Sequence, residues 1–188
     1  MSDYYPEYSA SEGPADLSGH KSETLTYAQA GYATYTNYGF NYWTIMAYSD
    51  GQSISVNGSA TVPFAYIYVF TKTDETSIPE GTYEFNTSLE PGTAYAGYRD
   101  DEYVEIGGSE FYFTDKAYFN QGYLVPAAEW LIASGTLTIN KSGWSVSGTA
   151  RNGSAIRLTG TTGIVNKGKQ SAPAKAPKTI QRTIEYCK

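Results

Sequence analysis

Hydrophobic and polar residues alternate with a period of two along most of this chain, which predicts strands. In "FNYWTIMAYS", Phe40, Tyr42, Thr44, Met46 and Tyr48 share one face, and Trp43, Ile45 and Ala47 take the other. In "PFAYIYVFTK", Phe64, Tyr66, Tyr68 and Phe70 point one way, and Ala65, Ile67 and Val69 the other. Both faces of this second run are apolar, so it is expected at the centre of a sheet, covered on both sides. From Ser134 to Thr162 the pattern is a three-strand antiparallel meander. Leu137, Ile139, Trp144, Val146, Ile156 and Leu158 point inward, and Thr136, Thr138, Ser145, Ser147 and Thr149 outward. Lys141-Ser142-Gly143 and Arg151-Asn152-Gly153-Ser154 supply its hairpin turns.

Weaker signals fill in the rest. A strand begins near Glu23, is interrupted at Gly31 and turns around Asn37–Gly39; a glycine inside a strand marks a bulge or a bend. Asp50-Gly51 is a turn, and short strands are expected around Thr82–Phe85 and Glu110–Thr114. Residues 126–134 fit either a single helical turn or the lead-in to the meander. The expected fold is all-β: an antiparallel sandwich or calycin-like barrel of about eight strands.

Three segments follow. Residues 1–22, polar and acidic without periodicity, form an exposed leader, and residues 23–163 the all-β domain. Residues 164–188 are a basic tail. Within it, 166–178 carry four Lys, two Pro and no acid, the composition of a solvated linker. Beyond, Ile180, Ile184 and Tyr186 share a face of a candidate terminal strand, which would pair either with its own sheet or with another molecule's edge.

Composition sharpens the picture. The chain holds 19 Tyr, 7 Phe and 3 Trp in 188 residues, side chains that suit pleated, half-buried surfaces. The net charge of −6 argues against nucleic-acid binding by the whole domain. Charge is also polarised: residues 1–130 hold 18 acids and 4 bases, whereas residues 131–188 hold 1 acid and 9 bases. Either the two parts balance within one fold, or the polarised molecule associates head to tail or docks an acidic partner through its C-terminal end. Cys187 is the single cysteine, so no internal disulfide forms. No run approaches the about eighteen apolar residues that span a bilayer, and no signal peptide opens the sequence. Met1 is expected to stand where a longer precursor was trimmed.

At "IPEGTYEF…EPGTAYAGY" and "ASGTLTINKSGWSVSGTA" the chain resembles secreted or lipid-anchored all-β proteins of Bacteroides-type cell envelopes, some of them calycin-like or lipocalin-like. The matching parts are Pro79, Gly81, Thr82 and Tyr83, then Pro91, Gly92 and Thr93, then Ser134 to Ile139, within roughly residues 24–162. The resemblance implies an extracytoplasmic location, at the cell surface, outer-membrane-anchored or secreted, and offers no catalytic residues. It further implies that Met1 stands where a lipid-modified cysteine begins the mature protein, with Asp3 and Glu7 in the acidic stretch after the anchor. From 163 onward the chain departs from that pattern.

Few residues suggest catalysis. His20, the single histidine, lies in the leader without a second histidine or a cysteine, so neither a metal site nor a serine triad is expected. Asp100, Asp101, Glu102 and Glu105 lack the order of an EF-hand loop and read as a solvated acidic turn. Gly107-Gly108 lacks the lysine and strand–helix setting of a phosphate loop, and no cofactor is expected. A carboxylate pair for glycoside hydrolysis needs roughly 5–9 Å between its members, which spacing in sequence does not supply.

The candidate ligand-binding residues are Tyr42, Tyr48, Tyr66 and Tyr68. A purely structural core uses Phe, Leu or Val more simply, because each buried phenol needs a partner. Tyrosines on a cleft stack on sugar rings or hold an apolar ligand; as cross-strand pairs they merely pack. Trp130 is a further candidate contact, with core packing its other role. The sequence thus predicts a non-enzymatic binding module for a glycan or apolar ligand. Its rivals are an assembly subunit that makes protein contacts through residues 166–188, and a carboxylate-dependent glycoside hydrolase.

Overall fold

The computed structural model describes residues 22–48, 64–100, 105–113, 118–120, 123–125 and 128–170. His20 and most of the leader, the Asp50-Gly51 turn, Asp101, Glu102, and the tail from residue 171 with its candidate strand and Cys187 lie outside them. The strands in chain order are β1 (Ser22–Leu25), β2 (Tyr27–Tyr35), β3 (Phe40–Tyr48), β4 (Phe64–Thr71) and β5 (Gly81–Asn86). Then come β6 (Thr93–Tyr95), β7 (Tyr98–Asp100), β8 (Glu105–Gly107), β9 (Glu110–Phe113) and β10 (Tyr118–Asn120). The last are β11 (Tyr123–Val125), β12 (Ala128–Asn140), β13 (Gly143–Ala150), β14 (Ala155–Gly160) and β15 (Val165–Lys169). Among the described residues there is no helix, hence none long and apolar enough to cross a membrane. Of the stretch 126–134, residues 128–134 are therefore lead-in strand, not a helical turn, and 126–127 lie outside the described residues.

A closed β-barrel of five strands, β4, β6, β5, β12 and β9, lies at the centre, with further strands outside it. It closes because β12 is long enough to serve two partners along one edge. Its first part, Ala128 to Leu131, pairs with β9, and Thr136 to Ile139 pairs with β5. Similarly β4 pairs with β9 near Ala65 and with β6 at Val69. The gap between β4 and β12 is thus one strand wide at one end and two wide at the other.

Ser109 sits where the width changes. Its N–H donates to the Tyr95 carbonyl (3.0 Å), its carbonyl accepts from Ile132 N–H (3.0 Å), and its hydroxyl oxygen accepts from Tyr68 N–H (3.1 Å). The preceding residue must be glycine. Gly108 has φ +77°, and a Cβ there would run into the Ala96 carbonyl.

Outside the ring, β3 and β2 extend the sheet from β4, and β13 and β14 extend it from β12. The chain's first two and last two described strands then run together in parallel pairs. β1 lies parallel to β14 from Ser22↔Arg157 to Leu25↔Gly160, and β2 lies parallel to β15 from Gln29↔Val165 to Tyr32↔Lys169. Only Thr26 separates β1 from β2, and it carries the strand from one partner to the next. Leu25 carbonyl accepts from Thr161 N–H (3.0 Å), while Thr26 N–H donates to the Tyr48 carbonyl (2.9 Å). Composition predicts a solvated linker from residue 166. The first residues of that stretch instead continue the C-terminal strand along β2, because backbone pairing does not require apolar side chains.

The expected alternation holds in β3, β4 and the meander. Trp43, Ile45, Ala47, Ala65, Ile67 and Val69 face inward and are buried with Leu137, Ile139, Trp144, Val146, Ile156 and Leu158. One end of this core is polar but satisfied. The Asn41 amide donates to the carbonyls of Lys72 (3.1 Å) and Glu75 (2.9 Å) and accepts from the Thr34 hydroxyl (2.7 Å). Trp43 Nε1–H donates to the Thr71 hydroxyl (2.8 Å). The Pro-x-Gly-Thr-Tyr stretch is likewise structural: the Tyr83 hydroxyl reaches back to the Pro79 carbonyl (2.6 Å).

If Ser109 holds the junction together, Ser109→Ala strands the Tyr68 N–H. It is expected to lower unfolding stability by about 1–3 kcal/mol in denaturant titrations. Ser145→Ala, on the exposed face of β13, is expected to change it by less than about 0.5 kcal/mol.

Candidate functional site

The outer face of β2, β3 and β4 is unusually aromatic. Register follows from β2↔β3 pairs that run unbroken from Tyr27↔Tyr48 to Tyr35↔Phe40, and from β3↔β4 pairs such as Tyr42↔Phe70 and Met46↔Tyr66. Apart from Tyr32 and Trp43, the apolar inward positions on these strands are small or aliphatic, so most rings collect on the other face, where Phe40, Phe70 and Tyr95 form a second buried cluster. Two groups result. Tyr42 stacks on Tyr68 with centroids 5.3 Å apart and planes at 8°, and on Phe70 at 5.3 Å and 27°. Tyr35 meets Tyr42 edge-on at 6.3 Å, Phe70 meets Tyr95 at 5.6 Å, and Tyr95 meets Tyr98 at 5.8 Å. At the other end Tyr27 and Tyr48 pair at 6.2 Å, and the Tyr48 hydroxyl donates to Met46 Sδ (3.7 Å).

The structure therefore brings the four tyrosine candidates onto one face. Trp130 is not among them. It lies in the core against Phe111 at 5.7 Å, only 1% exposed. Of the acidic turn, β7 and β8 pair Asp100 with Glu105 through their backbones. No group of three His, Cys, Asp or Glu is placed to hold a metal ion among the described residues.

Beside Tyr42 a groove of about 270 Å³ opens between β3 and β15, lined by Gln29, Gly31, Thr44, Met46, Lys167 and Gln170, with Tyr32, Ala33 and Tyr42. Gly31 marks this groove. Its pairing with Thr44 is regular, so β2 does not bulge against β3 there, and the irregularity opposite Gly31 lies in β15. The missing side chain instead lets Gln170 approach: a Cβ at Gly31 would lie 2.7 Å from Gln170 Cγ. Reasoning from sequence missed Gln29, Thr44, Lys167 and Gln170. For Gln29 the signal was present, since Tyr27, Gln29, Gly31, Ala33 and Tyr35 alternate as one face.

Burial, above all, raises the phenol pKa of Tyr42, reinforced by neighbouring Tyr68, Tyr95, Tyr98 and Tyr35. Tyr68 is raised by burial and then by Glu110, Tyr66 and Tyr98. Tyr66 is pushed up to about 12 by burial, Tyr48 and Glu110. These phenols stay protonated at neutral pH. They offer rings and hydroxyl hydrogen bonds, not tyrosinate nucleophiles or bases.

Comparison with known proteins yields no relative: no family model matches the chain, and neither a curated protein nor a solved structure does.

The raised phenols make the fold alkali-sensitive. The unfolded chain loses the Tyr66 proton near 10.0, while the native state holds it to about 12. Stability from this group is complete below pH 10 and is lost as pH rises through about 12. Unfolding titrations are expected to show a steep alkaline decline that is shallower in Tyr66→Phe.

Proposed function

We propose that the protein is a non-enzymatic binding module, displayed outside the cytoplasm, that takes a glycan on the tyrosine face of β2, β3 and β4. One observation carries this reading: the Tyr42 ring, braced by its parallel stack on Tyr68, stands in the wall of a mainly apolar groove into which Gln29, Thr44, Lys167 and Gln170 bring polar groups. A sugar ring has an apolar C–H face and a rim of hydroxyls. Tyr42 and Met46 suit the former, and Gln29, Thr44 and Gln170 the latter. A wholly apolar ligand would leave those amides unpaired at a cost.

The resemblance to cell-envelope calycin-like proteins supports the location. The closed ring has five strands with others outside it, and the count of about eight rests on that resemblance alone. An assembly role is favoured by a separate observation. β15 ends the strand path, and the described residues 131–170 carry five bases and no acid.

Titration of the purified protein with neutral and acidic oligosaccharides is expected to find a binder. Tyr42→Ala should weaken it about tenfold, and Tyr42→Phe much less, since the ring is retained. Absence of binding to any glycan, together with self-association in sedimentation, would replace this reading with the assembly role.

A further inference from the structure

Resting on the glycan reading, we propose that the groove selects an acidic sugar and that Lys167 binds its carboxylate or sulfate group. The argument begins with a bulge. Opposite β2, Asn166 pairs with Ala30 and Gly168 with Gly31, so Lys167 is an extra residue with no partner in the ladder. A bulge kinks its strand and redirects the side chain it carries. This one is built in: Gly168 has φ +75°, a conformation that favours glycine, and its N–H donates to Asn166 Oδ1 (2.8 Å). The Asn166 amide also donates to the Thr76 carbonyl (2.9 Å), which fixes the strand before the bulge. After it, the Gln170 side-chain NH2 donates to the carbonyls of Lys167 (3.0 Å) and Gly168 (3.3 Å). A five-residue edge strand is thus held at three points, and the bulged lysine lines the groove beside the residue whose missing Cβ makes room.

The electrostatics of the groove are one-sided. Among the described residues, Lys167 is its only charged lining residue and no acid lines it. Lys167 is exposed and makes no ion pair among the described residues, so its ammonium is available to a ligand. Lys169 lies two residues further on the same strand.

The flanking amides fit a sugar that carries such a charge. Gln29 Oε1 accepts from the Tyr27 hydroxyl (3.3 Å), leaving the Gln29 NH2 as a donor. With its NH2 committed to the backbone, Gln170 has its carbonyl oxygen left to accept from a sugar hydroxyl. An anionic group on Lys167 and a ring against Tyr42 would then be read by neighbouring residues of one groove.

The test compares a pair of ligands that differ only in charge: an oligogalacturonate and its carboxyl-reduced counterpart, with dextran sulfate and dextran as the sulfate arm. Wild-type protein is expected to bind the charged member at least about fivefold more tightly at low ionic strength, with the ratio shrinking as salt screens the contact. Lys167→Gln should bring the ratio to about one, and Lys167→Arg should keep it. Lys141→Gln, in the β12–β13 turn outside the groove, should leave it unchanged. Preference in one arm alone identifies the anionic group. Equal binding of charged and neutral sugars by the wild type overturns the charge selection and leaves the glycan reading standing. So does a preference that survives Lys167→Gln. Failure to bind any sugar overturns both.

Discussion

The fold depends on satisfying backbone hydrogen bonds where one intervening strand gives way to two. Buried N–H and C=O groups tolerate no gap. Between β4 and β12, the switch from β9 to β6 and β5 would open one at Tyr68. A serine hydroxyl supplies the missing acceptor, and the Ser109 backbone bonds Tyr95 and Ile132 on either side. The junction thus ties together the two partners, β9 on one side and β6 with β5 on the other, through which β4 and β12 close the ring. The sheet that carries the tyrosine face hangs from β4, so its position is fixed by the same few bonds.

Closure also explains why the tyrosines lie outside. The inward positions of β2, β3 and β4 include Ala28, Ala30, Ala47 and Ala65, while β12 and β13 contribute Trp130, Ile132, Leu137, Ile139 and Trp144. The alanines of one wall leave room for the large side chains of the other, as dense packing requires, while Tyr32 and Trp43 are the rings the first wall itself turns inward. Most of that wall's rings lie on its other surface. There the rings stack into a second buried cluster around Phe40, Phe70 and Tyr95, which leaves the Tyr35 hydroxyl buried without a partner among the described residues.

Much of this was legible in the sequence. Period-two alternation assigned faces correctly in β3, β4 and the meander, because each of those runs is long and regular. It also placed Tyr42, Tyr48, Tyr66 and Tyr68 on a common side. It could not show that this side is the outer one, since both faces of β4 are apolar and the sign is set by which wall is filled from across the core. Ser109 was invisible for a different reason: one serine in a Gly-Gly-Ser stretch acquires its role only from two strands distant in sequence. Lys167 was concealed by composition. "VNKGK" lacks β-branched and aromatic residues beyond its first, and it becomes strand only because β2 offers it a partner.

That last point joins the fold to the proposed chemistry. The chain is strongly polarised, acidic early and basic late, and simple balancing would scatter the bases over the far side of the molecule. Parallel pairing of β1 with β14 and of β2 with β15 does otherwise. It carries the basic segment past Thr26 and lays it along β2, next to the aromatic face that earlier, acidic sequence builds. A cation is thereby set beside stacked rings without either strand needing both kinds of residue. Because the register of β15 is fixed by backbone bonds and its bulge by Gly168, the lysine's position rests on main-chain geometry more than on side-chain packing. A site assembled this way can change its charge by substitution at residue 167 and leave the barrel intact.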